Sequence, residues 1–182
     1  MSCKASVFIA TSLDGFIAKT DGSVDWLNDF NETMPEGDDG GFGDFMASVD
    51  ALVMGRKTFE SVRDMEGGPW PYGDTPWVLT KGGVEIPELL KGKVKLTKGS
   101  PQEILEELAA SGAKDVYVDG GETIRGFLDA GLLSRIIIRK VRSLPWVKGD
   151  LKIYGEGRVP TIQEVSSKPL SCGILQVTYA CT

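Results

Sequence analysis

Histidine is missing from all 182 residues of the chain. That removes the commonest general base, every Ser-His or Cys-His nucleophile pair, and most zinc sites, so no metal site is expected. Cysteine is scarce. Cys3, Cys172 and Cys181 form no CxxC pattern, and an odd number makes a poor disulfide framework, so they read as reduced thiols in a cytosolic protein. No apolar run approaches the ~20 residues needed to cross a bilayer. The N-terminus also lacks a basic segment followed by an apolar stretch, which sets the expectation of a cytoplasmic chain with no membrane partner. Asn31-Glu32-Thr33 fits the glycosylation pattern but means nothing without secretion. Cations are outnumbered: 20 Lys+Arg against 26 Asp+Glu give a net charge of −6. With no basic cluster to offset it, that sign repels a phosphate backbone, and nucleic acid is not expected as a partner.

What is present is an ordinary globular composition, 41% apolar and 25% charged, at the size of one hydrophobic core. We expect one domain spanning residues 1–182, since no repeat, linker or low-complexity tract interrupts it. Strand and helix patterns alternate, which argues for an α/β fold. Ala5 to Ala10 reads as a first strand, and residues 19–41 as a long irregular segment with about one helical turn around Trp26 and Leu27. A short helix near Asp44 to Ala47 and a buried strand at Ala51 to Met54 follow, then a helix from Arg56 to Val62. Residues 67–73 read as a rigid Pro/Gly loop. Strands at Pro76 to Thr80 and Val94 to Thr97 come next. Ser100, Pro101 and Glu103 give an N-cap, a proline at N1 and a capping box for a helix through Ala110. Strands at Asp115 to Val118 and Ile136 to Val141 flank a helix from Glu122 to Ala130. The tail closes as a hairpin around Ser171-Cys172-Gly173. The sum is a mostly parallel sheet with helices on both faces and an antiparallel edge.

Two junctions carry the functional signal. Leu52-Val53-Met54-Gly55-Arg56-Lys57-Thr58 and Tyr117-Val118-Asp119-Gly120-Gly121-Glu122-Thr123-Ile124 each pass from a buried strand through glycine directly into a helix. The first helical N–H groups lack partners within the helix, the helix dipole adds positive charge, and glycine admits a ligand close to the backbone. Such turns suit an anion, most naturally phosphate. Arg56 and Lys57 sit in a first turn where cations are locally disfavoured, which fits the same anion. Thr80-Lys81, at the end of a strand, offers a further hydroxyl and charge, although a solvated strand end would look the same. No GxGxxG follows the first strand and there is no GxxxxGK[ST]. Gly155-Glu156-Gly157 reads as a turn.

At these residues the chain resembles known proteins. Met54-Gly55-Arg56-Lys57-Thr58-Phe59-Glu60-Ser61 looks like the cofactor-phosphate motif of dihydrofolate reductases. Ile9-Ala10-Thr11-Ser12-Leu13-Asp14-Gly15-Phe16-Ile17-Ala18 and Val118-Asp119-Gly120-Gly121-Glu122-Thr123 are similar to a related family. That family is the reductase domain of the bifunctional riboflavin-biosynthesis deaminase–reductase, together with its stand-alone relatives. Phe127 to Leu133 fits it as well, and the match runs in order from about residue 4 to 142. The resemblance implies a dihydrofolate reductase-like fold and an NADPH-dependent reductase acting on a small heterocyclic substrate. It places Ala10 and Thr11 in the nicotinamide wall and Trp26 beside nicotinamide and substrate. It assigns Gly55, Arg56, Lys57 and Thr58 to the cofactor phosphates and Thr80 and Lys81 to the adenosine and its 2′-phosphate. Gly120, Gly121, Glu122 and Thr123 fall on the pyrophosphate and nicotinamide ribose, and Asp119 on an acidic substrate contact.

Read from the residues alone, Asp119 serves equally as a helix N-cap and Trp26 as a core anchor. Dihydrofolate reductases carry an acidic residue about five positions after the loop tryptophan, where this chain has Asn31; Asp29, Glu32 and Asp44 are candidate replacements. Residues 143–157 depart from the relatives, with Pro145-Trp146-Val147-Lys148-Gly149-Asp150 interposed. No deaminase zinc domain is expected in these residues, which lack the His and paired Cys for one. The expected reaction transfers hydride to a C=N or C=O carbon, most like that of 5-amino-6-(5-phosphoribosylamino)uracil reductase. The proton comes from Asp119, Asp44 or water. Dihydrofolate reduction and non-catalytic NADP(H) binding are the alternatives. Relatives of this kind are often dimers, and Ile136-Ile137-Ile138 reads either as part of such an interface or as a buried central strand.

Overall fold

The computed structural model describes residues 3–64, 70, 72, 76–141, 151–152 and 161–182. Its main sheet has eight strands. In chain order they are β1 (Lys4–Ser12), β3 (Ala51–Gly55), β4 (Pro76–Leu79), β5 (Lys95–Thr97), β6 (Asp115–Asp119), β7 (Arg135–Val141), β9 (Ile162–Pro169) and β10 (Ile174–Cys181). Across the sheet they run β5-β4-β3-β6-β1-β7-β10-β9. All neighbours are parallel except β7–β10 and β10–β9, so the C-terminal hairpin supplies the antiparallel edge.

Alternation along the strands divides the core into two faces, because successive side chains point to opposite sides. Ala5, Val7, Ile9, Val53, Val116, Val118, Ile136 and Ile138 face one side. Helices α4 (Pro101–Ala110) and α5 (Gly121–Asp129) cover it with Ile104, Leu105, Leu108, Ile124, Phe127 and Leu128. Phe8, Leu52, Met54, Val78 and Tyr117 face the other, where α2 (Phe42–Ala47) and α3 (Arg56–Arg63) contribute Phe45 and Phe59. Helix α1 (Asp25–Asn31) covers the end of this second face through Trp26 and Phe30, against Val141 and Ile174.

The elements read from the sequence that fall among the described residues are present, with some differences. β1 extends at both ends, to Lys4 and Ser12. The segment 19–41, taken as irregular, contains a seven-residue helix, α1, and just before it a short strand, β2 (Phe16–Ala18), pairs with β8 (Leu151–Lys152) in a separate two-stranded sheet. Three-residue strands carry too little periodicity to register in a sequence. The isoleucine run belongs to the interior, since β7 lies between β1 and β10 with Ile136 and Ile138 in the core. It is not available as an interface. The Pro/Gly loop is described only at Trp70 and Tyr72, and the divergent stretch only at Leu151–Lys152; Gly155-Glu156-Gly157 lies outside the described residues. No helix among the described residues is long and apolar enough to cross a membrane.

The capping box is formed. The Ser100 hydroxyl accepts the Glu103 amide at 3.3 Å, and the Ser100 amide donates to Glu103 Oε2 at 2.8 Å. Replacing Ser100 with Ala should cost about 1 kcal/mol. A thermal melt of the variant should show Tm lower by about 2–4 °C, as expected for a chain of this size.

Candidate cofactor and substrate site

Sheet order decides where the two glycine junctions meet. β3 and β6 are neighbours with Met54 opposite Asp119. From β3 the chain moves outward to β4, and from β6 it crosses over β1 to β7. This is a topological switch point, the crevice beyond the strand carboxyl ends where ligands of open α/β sheets bind. Both junctions open there, one strand apart.

Their helices start without side-chain caps. Gly55 is the N-cap of α3 and Gly120 the N-cap of α5, and neither receives a capping side chain, in contrast to α4. The junctions instead interlock. A Cβ on Gly55 would lie 2.7 Å from Thr123 Oγ1, and a Cβ on Gly120 would lie 2.2 Å from Thr58 Oγ1. Each glycine therefore makes room for the threonine of the opposite helix. Gly120 also has φ 89°, a left-handed value that side chains rarely adopt. Across the top, Lys57 Nζ meets Glu122 Oε1 at 2.9 Å, with both side chains largely exposed. Arg56 is exposed and pairs with Glu60 on its own helix. Thr80 and Lys81 line a shallow pocket of about 410 Å³ at the ends of β4 and β5, together with Gly82, Leu96, Thr97 and Lys98. The predicted phosphate and adenosine residues thus occupy one continuous edge of the sheet.

The remaining predicted residues are distributed differently. Ala10 and Thr11 lie near the end of β1, opposite Arg139 and Lys140 of β7. Thr11 is buried, and its hydroxyl has no hydrogen-bond partner among the described residues. Trp26 is 4% exposed and packs with Phe30, Val141 and Ile174, so it is a core anchor; its indole N–H is likewise buried without a described partner. Asp44 is on the exposed side of α2, away from the Phe45 contact. Asn31 and Glu32, at and just beyond the end of α1, are exposed.

Asp119 is the outstanding ionisable group. It is buried at the end of β6, and its N-cap reading fails because Gly120 holds that position. Asp119 Oδ1 accepts the Gly120 amide at 2.7 Å, and Oδ2 accepts the Tyr72 hydroxyl at 2.8 Å. Burial raises its pKa above the usual carboxylate range despite these hydrogen bonds. Burial beside this carboxyl in turn pushes the Tyr72 and Tyr117 hydroxyls well above the ordinary phenol value. Sequence reasoning missed both tyrosines. Tyr117 was visible only as a strand residue, and its hydroxyl donates to the Phe8 carbonyl at 3.0 Å.

The sequence profile of the RibD C-terminal domain matches residues 4–175, nearly the whole chain. The chain belongs to this family. Among curated proteins, YwjB of Bacillus subtilis, itself uncharacterised, is 31% identical over 140 residues, which is 76% of each chain. Among solved structures, a Shewanella sp. PV-4 protein assigned to riboflavin biosynthesis is 35% identical and superposes with TM-score 0.85 over 100% of this chain and 99% of its own. Enterococcus faecalis dihydrofolate reductase, solved with NADP(H) and the ligand RAB-propyl, superposes with TM-score 0.61 at 18% identity over 99% of each chain. The RibD-type fold is thus a dihydrofolate reductase-like fold.

The interlock gives a direct test of the cradle. Gly120→Ala places a methyl on the Thr58 hydroxyl at a left-handed φ and should destabilise the chain by about 1–3 kcal/mol, measured by urea unfolding. Pairing it with Thr58→Ser, which keeps the hydroxyl, should not restore stability, whereas Thr58→Ala should restore part of it.

Proposed function

We propose that this chain is an NADPH-dependent reductase that delivers hydride to a C=N or C=O carbon of a small heterocycle, most like 5-amino-6-(5-phosphoribosylamino)uracil reductase. The observation that carries this reading is the pair of uncapped, glycine-opened helix N-termini meeting at one switch point. Family membership and the NADP(H)-bound dihydrofolate reductase of similar fold support it.

The residues fit the cofactor on physical grounds. First-turn amides of α3 and α5 offer donors to a pyrophosphate, reinforced by the helix dipoles. Arg56, Lys57 and Thr58 would hold the phosphates, with Lys57 exchanging its contact with Glu122 for one to a phosphate oxygen. Thr80 and Lys81 would take the adenosine end and its 2′-phosphate. Gly120 and Gly121 would let the backbone approach closely, and Glu122 and Thr123 would border the nicotinamide ribose. Ala10 and Thr11 would form the nicotinamide wall, where the Thr11 hydroxyl lacks a described partner. Trp26 would support that wall from behind, since Ala10 packs in the same cluster. The bound dihydronicotinamide supplies the hydride.

Asp119 is the proton donor in this scheme. Its burial keeps the proton on the carboxyl to higher pH than an ordinary aspartate allows, and Tyr72 holds the carboxyl in place. As hydride reaches the substrate carbon, the Asp119 proton passes to the substrate nitrogen or oxygen, leaving the carboxylate to accept the Tyr72 and Gly120 hydrogen bonds. Asp44, exposed on α2, has no such environment.

NADPH should bind the purified chain in a fluorescence titration. Its absorbance should fall on addition of the aminopyrimidine ribosyl phosphate and not of dihydrofolate. Binding without turnover of either would leave only a cofactor-binding protein. Lys81→Glu should reduce the preference for NADPH over NADH by about tenfold or more, the scale of one lost charge-assisted contact. Asp119→Asn should lower kcat by about 10²–10⁴-fold. Because the Asp119 pKa is raised, wild-type kcat should decline as pH rises through that value, and the variant should lack this alkaline limb. Stability follows the same sign. The contribution of the neutral carboxyl is complete below the ordinary aspartate pKa and is lost as pH climbs through the raised one.

A further inference from the structure

Both oxygens of the buried Asp119 carboxyl are engaged, so geometry limits the route by which its proton can leave. Oδ1 accepts the Gly120 amide at 2.7 Å. A peptide N–H only donates, so Oδ1 stays an acceptor and the carboxyl proton belongs on Oδ2. Oδ2 faces the Tyr72 hydroxyl at 2.8 Å. A hydroxyl donates and accepts alike. When Oδ2 carries the proton the bond therefore reverses: Asp119 donates to the phenol oxygen, and the Tyr72 O–H is released for another acceptor.

Tyr72 is placed to use that freedom, and Tyr117 is not. Tyr117 is 3% exposed, and its hydroxyl donates to the Phe8 carbonyl at 3.0 Å. Tyr72 is the more exposed of the two. Its ring packs edge-on against Trp70 and Phe42, with centroids 5.4 and 6.1 Å away. These neighbours hold the hydroxyl at the end of β6, where the two glycine junctions open. Burial, together with the carboxylate beside it, keeps the phenol proton in place well above the ordinary range, so Tyr72 remains a neutral donor.

We propose that Tyr72 is a catalytic residue whose hydroxyl hands the proton to the substrate and is refilled by Asp119 in the same step. This rests on the reductase reading; Asp119 remains the source of the proton, and Tyr72 becomes the group that touches the substrate. As hydride reaches the carbon of the C=N or C=O bond, the π pair moves to the nitrogen or oxygen and takes the Tyr72 proton. The electron pair of the broken O–H bond stays on the phenol oxygen, which takes the proton from Asp119 Oδ2. The phenol ends neutral and Asp119 ends as a carboxylate that accepts from Tyr72, which is the arrangement in the structure. Water returns the proton along the same path after product has left.

Tyr72→Phe separates this relay from a tyrosine that only holds the carboxyl. Among the described residues the titratable groups acting on Asp119 are Tyr72 and Tyr117, and the hydrogen bond from each lowers its pKa. Loss of the Tyr72 hydroxyl therefore keeps Asp119 protonated to higher pH. If Asp119 donated directly, the variant would match wild-type kcat at low pH and hold it further into the alkaline range. With Tyr72 as the donor, kcat should fall by about 10²-fold or more across the whole profile, with KM changed far less. Tm and NADPH affinity of the variant should stay near wild type, and carboxyl-carbon NMR without substrate should show the Asp119 pKa raised.

A second measurement needs no variant. Single-turnover rates of the wild type in mixtures of water and heavy water should curve with the heavy-water fraction, because two protons move together. A straight line overturns the proposal and leaves the reductase reading intact. So does Tyr72→Phe with wild-type kcat on its low-pH plateau, or with an unchanged Asp119 pKa. A wild type that reduces neither the aminopyrimidine ribosyl phosphate nor dihydrofolate overturns the reductase reading and the relay with it.

Discussion

Two helices that begin without side-chain caps, side by side at the ends of β3 and β6, set the terms for the rest of the molecule. Their first-turn amides need acceptors, and between the two glycine N-caps the structure interleaves Thr58 and Thr123. Gly55 accommodates Thr123 and Gly120 accommodates Thr58, so neither junction can be altered without moving the other. α4, whose start is sealed by Ser100 and Glu103, shows that this chain can cap a helix fully where no ligand is expected. The contrast with α4 sets these two junctions apart from a helix start sealed by its own side chains.

The two faces of the sheet have divided their labour. Beneath α4 and α5 the core consists of aliphatic side chains with Phe127 and Trp77, and its work is cohesion. Beneath α2 and α3 the same strands present Phe8, Tyr117, Asp119 and Arg139, joined by Tyr72, Phe42 and Phe45 in a connected aromatic cluster. Burial raises the proton affinity of Asp119, Tyr72 and Tyr117 on this face.

Much of this was legible in the residues. Buried strands at Ala51 and Asp115, the glycines that follow them and the Ser100 capping box are local patterns, and the fold class follows from their order. Locality also sets the limit. That β6 inserts between β3 and β1 is a long-range fact, carried by pairings such as Ala5 with Val116. Tyr72 reaches Asp119 across 47 residues from within a Pro/Gly loop, and nothing in the loop's composition announces a hydrogen bond. Trp26 offered two readings because an aromatic residue on a short helix serves a core or a ligand equally well, and only its neighbours Phe30 and Val141 decide.

The placement of β1 bears on how the protein is made. β1 sits between β6 and β7, both of which follow it in the chain, and the Tyr117 hydroxyl that donates to the Phe8 carbonyl comes 109 residues later. At roughly 5–20 residues per second of synthesis, β1 waits on the order of 10 s for its partners. During that interval Val7, Phe8 and Ile9 are an apolar segment with both edges open, and the second edge closes only once β7 (Arg135–Val141) has been translated.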